Sequence, residues 1–171
     1  MTDLLAADSV AADQELLDYL AAQRAAVLAI VAGLDEDAWH RSVVPSGWTP
    51  AGLVEHLSGA EWHWFQQVVA GNNEEPAGAE DLPPYDPFAP FVTDLPSAEI
   101  IAEYQDTCAK SDAVLAATTL AAAPLGKHNV GETPPDVRGV VLHMIEETAR
   151  HAGHLDIARE LLDGETRLGP R

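Results

Sequence analysis

Apolar residues recur along this chain in a helical rhythm. From Asp13 to Leu34, Leu16, Leu17, Leu20, Ala21, Arg24, Val27, Leu28 and Val31 mostly fall at i, i+3, i+4, i+7 spacing, which predicts a first helix. Gly33 stands where a C-cap glycine belongs. Asp35-Glu36-Asp37 then begins a short turn leading to Trp39, and Val44 to Trp48 reads as a loop by its Pro and Gly. Thr49-Pro50 is a helix start signal, a capping hydroxyl followed by a proline suited to the first helical position. That second helix runs to about Ala70, where Gly71-Asn72-Asn73 stops it.

The stretch 72–96 holds Pro76, Pro83, Pro84, Pro87, Pro90 and Pro96, and is too proline-rich for anything but a long loop. Ser97 opens a third helix that reaches about Thr118. An irregular stretch over 119–135 follows, with Pro124, Gly126, Gly131, Pro134 and Pro135. Asp136 caps a fourth helix that ends near Leu162, with Gly164 beyond it. Four helical segments with no strand pattern predict an all-α four-helix bundle, one domain over 1–171. Its long loops lie between helices two and three and between helices three and four.

Composition narrows the function. The chain has 171 residues, 47% of them apolar and 22% charged, as in an ordinary globular protein. Its formal net charge is −19, with only 9 Lys and Arg, so phosphate-rich partners such as nucleic acid or an anionic membrane surface are repelled. Cys108 is the single cysteine, so an internal disulfide is excluded. The first ten residues carry neither the basic nor the apolar region of a signal peptide, and no apolar run approaches a membrane span. A reducing cytoplasm is the expected compartment.

The densest chemistry lies on the fourth helix. At about 100° per residue, His143, Glu147, His151 and His154 share one stripe, with Ile145, Leu155, Ala158 and Leu162 as apolar neighbours. The i, i+4 pair Glu147/His151 can direct two donors at one ion. His56 lies between Leu53 and Leu57 on the buried side of the second helix, with His63 seven residues on. One imidazole from the second helix and an acid–imidazole pair from the fourth make a three-ligand set with open coordination positions. Nitrogen and oxygen donors suit Zn²⁺, Ni²⁺, Fe²⁺ or Mn²⁺, and the ligand set alone does not choose; Zn²⁺ is the first expectation. The same spacing also arises by chance on helices whose histidines serve only packing. Arg150, Asp156 and Arg159 read as surface helix pairs, and His40 and His128 as solvated loop residues. Cys108 reads as an inert buried thiol. Trp48, Trp62, Trp64 and Phe65 suit core packing or a helix-dimer contact, or else one ring lines a substrate mouth.

Two segments resemble a known family. Ser46-Gly47-Trp48-Thr49 followed by Leu53-Val54-Glu55-His56-Leu57 is similar to the second-helix motif of the DinB/YfiT-like superfamily. Val141 to Glu147 followed by Ala149 to Asp156 resembles its fourth-helix motif. The closest resemblance is to the branch known as mini-circle proteins, which Gln23-Arg24 and Glu61-Trp62-x-Trp64-Phe65 also fit. The resemblance covers most of the chain and is weakest over 72–96 and 119–134. It implies a metal-holding bundle whose ligands are His56, Glu147 and His151. His154 reads as supporting a ligand or facing substrate, and it and His143, on the same stripe, are the candidate catalytic side chains. Many relatives carry His at the place of Glu147, and the branch often has Tyr at the place of Thr148. The implied activity is thiol S-transfer, in which a metal-activated low-molecular-weight thiol such as mycothiol attacks an electrophile. Two alternatives stand beside it: a non-catalytic metal- or small-molecule-binding bundle, and a mycothiol-dependent isomerase. A homodimer is compatible with the fold but no residue specifies one.

Overall fold

A computed structural model describes residues 2–72, 89–129 and 131–166, with side chains described from Val10 onward. The chain forms α1 (Thr2–Val31), a single-turn α2 (Glu36–Trp39), α3 (Pro50–Glu61), α4 (Ser97–Ala116) and α5 (Val137–Asp163). No strand occurs among the described residues. The four long elements match the expected bundle. α1 begins eleven residues before the amphipathic pattern does, and the turn at 36–39 closes into a helix.

Local chemistry sets the helix ends. Thr49 accepts a hydrogen bond from the Gly52 amide, and Asp136 accepts one from Gly139, each satisfying a donor that the first helical turn leaves free. Gly33 and Gly164 take left-handed φ values of 81° and 80° after α1 and α5, a conformation that costs glycine nothing. Ser97 does not cap its own helix: its amide and hydroxyl donate to Glu36, tying the start of α4 to α2.

The second helix changes its winding midway. After Glu61 the chain continues as a π-helical segment, Trp62–Val69, and the Ala70 amide donates to Phe65 O, five residues back. Wider winding leaves the carbonyls of Val68 and Val69 available at the segment's end. They accept from the amides of Gly126 (2.9 Å) and Leu125 (3.1 Å), which pins the 119–129 loop against the helix. Gly126 is required there, because a Cβ at that position would lie 2.0 Å from the Gln67 carbonyl oxygen.

Named contacts give the helix directions. Arg138 meets Asp13 near the start of α5, and Arg159 donates to the carbonyls of Ile30 and Ala32 near its end, so α1 and α5 run parallel. His56 lies beside Glu147, and Trp64 beside His143, so α3 and α5 are antiparallel. Trp62 faces Lys110, and Val69 shares a cleft with Ala117, so α3 and α4 run the same way. The order is up-down-down-up. The connection from α3 to α4 joins two helices that point the same way; residues 73–88 within it, with Pro76, Pro83, Pro84 and Pro87, lie outside the described residues.

The core divides into two clusters. Val27, Ile30, Trp39, Leu53, Leu57, Ile100 and Leu155 pack near the ends of α1 and α5. Leu20, Phe65, Val68, Val140, Val141 and Met144 pack near the other end. Between them a buried Arg24 forks onto Glu61 (2.7 and 2.6 Å) and reaches Asp112 (2.7 Å), joining α1, α3 and α4. Burial disfavours its charge, but the opposed Glu61 outweighs this and raises the guanidinium pKa. Arg159 is buried rather than a surface residue. Its guanidinium serves the α1 carbonyls that the end of that helix leaves unpaired, while also pairing with Asp163 (2.7 Å). Thr148 is fully buried in the core. No helix among the described residues is long and apolar enough to cross a membrane.

Candidate metal centre

Antiparallel packing of α3 against α5 brings His56, Glu147 and His151 together. Glu147 Oε1 lies 3.2 Å from His56 Nε2 and 3.0 Å from His151 Nε2. One donor atom from each of the three lies within 4.8 Å of the other two. The two Glu147–imidazole spacings fit an ion, since adjacent ligands about 2.1 Å from a metal stand roughly 3.0–3.4 Å apart at octahedral or tetrahedral angles, and the two imidazoles, within 4.8 Å of each other, would draw together on binding it. The donors come from only two helices, leaving the remaining directions to other ligands. His151 is buried, while His56 and Glu147 are partly exposed, so the cluster sits at the rim of the core. Hydrogen bonds from His151 and then His56 hold the Glu147 carboxyl well below the usual carboxylate range, against the opposing cost of burial. Glu147 is thus an ionised acceptor with two imidazoles aimed at one of its oxygens.

Neighbouring groups fix these rings. His151 Nδ1 lies 3.3 Å from His154 Nδ1, so the nitrogen pointing away from Glu147 has its own partner, as histidines that bind metals commonly do. Burial, then His151 and Arg150, lower the His154 pKa, and the two rings stand 5.3 Å apart between centroids. His154 also approaches Trp48, at 6.0 Å between ring centroids. Arg150 pairs with Glu146 as a surface i, i+4 pair.

Phe91 had no signal in the sequence. Its ring stacks on His56 at 4.1 Å with an 18° interplanar angle and meets His151 edge-on. It is held there by backbone. Phe91 O accepts from the Thr49 amide (3.0 Å), and Gly52 gives the strand-like 91–92 segment room; a Cβ at Gly52 would lie 2.2 Å from the Phe91 carbonyl. A glycine three residues into a helix beside an aromatic in a distant loop was the only available hint.

His143 stands one turn before Glu147 but makes no contact with the three-donor cluster. Its ring packs 4.4 Å from Trp64. His128, expected as solvated, instead stacks on Trp64 (4.5 Å, 25°), and its Nδ1 lies 2.8 Å from His63 Nε2. His40 is likewise engaged, with Nδ1 3.0 Å from Thr93 O and Nε2 3.2 Å from Glu36. Trp64 and Phe65 are core residues, and Trp62 lies against Lys110. Cys108 sits between α1 and α4 among Arg24, Tyr104 and Asp112, on neither histidine cluster.

An all-α bundle with an acid and two imidazoles converging between its second and last long helices defines a DinB-like protein. The chain belongs to the mycothiol-S-transferase family, whose model matches residues 15–164. No curated protein matches it.

Proposed function

We propose that this protein is a metal-dependent thiol S-transferase that joins mycothiol to an electrophilic small molecule. The convergence of His56, Glu147 and His151 on one point, in a chain of this family, carries the reading. When bound, a divalent cation would supply Lewis acidity that favours thiolate over thiol near neutral pH. Zn²⁺ is the first choice for two imidazoles and a carboxylate.

The chain's own residues do the rest. His56, Glu147 and His151 would hold the cation. Phe91 covers one face of His56 and limits water there. His154 sets the orientation of the His151 ring. We assign to His154, which contacts the His151 ring, the uptake of the proton that a bound thiol would release. No thiol of the protein is needed: burial, followed by Glu61, pushes the Cys108 pKa up to about 12, so it carries no thiolate at pH 7.

The test is conjugation of mycothiol to monochlorobimane by purified protein. The wild type should form conjugate, and a chelator or His56→Ala should reduce the rate to background. Conjugation surviving both treatments contradicts the reading. A protein that binds metal without conjugating any thiol is the non-catalytic bundle instead.

A further inference from the structure

One to two turns from the metal centre, along the same seam between the second long helix and α5, lies a second histidine cluster. His63 is seven residues beyond His56, and His143 is four before Glu147, about 6 Å along α5 at 1.5 Å per residue. His63, His128 and His143 surround the buried Trp64 ring, with centroids at 5.3, 4.5 and 4.4 Å, and each is partly exposed. The loop that brings in His128 is fixed by the Leu125 and Gly126 amides on the π-helical segment, and by the His128 amide donating to Thr133 Oγ1 (2.9 Å).

The hydrogen bonds in this cluster run in one direction. Gln67 Oε1 lies 2.8 Å from His63 Nδ1 and, being an amide oxygen, can only accept. That acceptor selects the tautomer of His63 with its proton on Nδ1, in which Nε2 holds a lone pair. That lone pair is 2.8 Å from His128 Nδ1, which must then be the donor. The outer nitrogen of His128, Nε2, is then the acceptor of that ring, and it has no hydrogen-bond partner among the described residues. Burial, then His63 and His143, keep His128 below the usual histidine pKa.

We propose that the Gln67–His63–His128 relay presents His128 Nε2 as a fixed acceptor for a hydroxyl of the co-substrate's polar body, with His143 beside it. This rests on the thiol-transfer reading. An accept-only tip selects a donor, a hydroxyl or an amide N–H, and rejects a carboxylate or phosphate, as does a chain of net charge −19. It is not a second metal centre: among the described residues only His56, Glu147 and His151 bring three donors together. Mycothiol, a cysteine derivative joined to an amino sugar and a cyclic polyol, carries such hydroxyls at a distance from its sulfur. Its thiol at the metal centre and its polyol at His128 would lie along one seam. His63 and Gln67 are positioning residues, acting only through the tautomer of His128.

Nitrogen-15 NMR of the full-length protein reads the relay directly. At pH 7.5, His63 and His128 should both appear as Nδ1–H tautomers, and mycothiol should shift the His128 Nε2 resonance. N-acetylcysteine, a thiol without the polyol, should leave that resonance in place. In kinetics, His128→Ala should raise the KM for mycothiol roughly five-fold, the worth of one neutral hydrogen bond, with kcat nearly unchanged and no effect on N-acetylcysteine. His63→Ala should do the same, and the double variant no more than either. A His128 that carries its proton on Nε2, or a loss equal for both thiols, overturns the proposal. Should the wild type conjugate no thiol, the transferase reading fails by itself, and titration with myo-inositol decides the subsite. A shift at His128 Nε2 retains a polyol site; no shift removes it.

Discussion

Single side chains divide here into those that serve the ion and those that hold the bundle. Arg24 belongs to the second group: it and Glu61 are 6% and 1% exposed, so neither charge has water to fall back on. Arg24→Ala strands a buried carboxylate, and truncating one partner of such a pair costs about 3–5 kcal/mol. Urea unfolding should show that loss, whereas Arg150→Ala, which breaks an exposed pair, should change stability by less than about 1 kcal/mol. Cys108 makes the complementary case. With its pKa pushed up to about 12, it should react only slowly with a disulfide reagent at pH 8 in the folded protein and rapidly in urea. Cys108→Ser should conjugate thiol at the wild-type rate. The sign of its linkage is also fixed: above pH 9 the unfolded thiol ionises while the folded one keeps its proton, so this group's contribution to stability falls as pH rises.

Among the elements, α3 carries two glycines whose surroundings predict opposite effects. Gly52 packs against the Phe91 backbone, and Gly52→Ala must push that segment away, costing about 1–3 kcal/mol as overpacking. At Gly59 an added Cβ meets nothing within 4 Å, so Gly59→Ala should stabilise by about 0.5–1 kcal/mol through helix propensity alone. Thermal unfolding of the two variants checks both signs. The helices themselves were legible in the sequence because their signals are local. Thr49-Pro50, Asp136, Gly33 and Gly164 each act on backbone within one turn. What lay beyond the sequence was set by contacts between distant segments. The π-helical winding of 62–69 keeps the apolar period close to that of an α-helix, and nothing in WHWFQQVV announces five-residue bonds. Phe91 and His128 sit in loops, where no periodicity exists to place a side chain. Arg159 looked like half of a surface pair because its carbonyl partners at Ile30 and Ala32 lie more than a hundred residues away.

For the molecule as a whole, direction matters more than helix count. The second long helix runs antiparallel to α5, and among the described residues that seam puts an imidazole opposite an i, i+4 acid–imidazole pair. Glu147 is the pivot, since its single Oε1 is near both rings. The decisive measurement is the metal content of purified protein by elemental analysis, made on the wild type and on Glu147→Ala. About one equivalent of a divalent metal in the wild type, lost in a variant that remains helical by circular dichroism, is the predicted result. A metal-free wild type that takes up no Zn²⁺ on reconstitution, or a variant that keeps its full equivalent, would contradict the account.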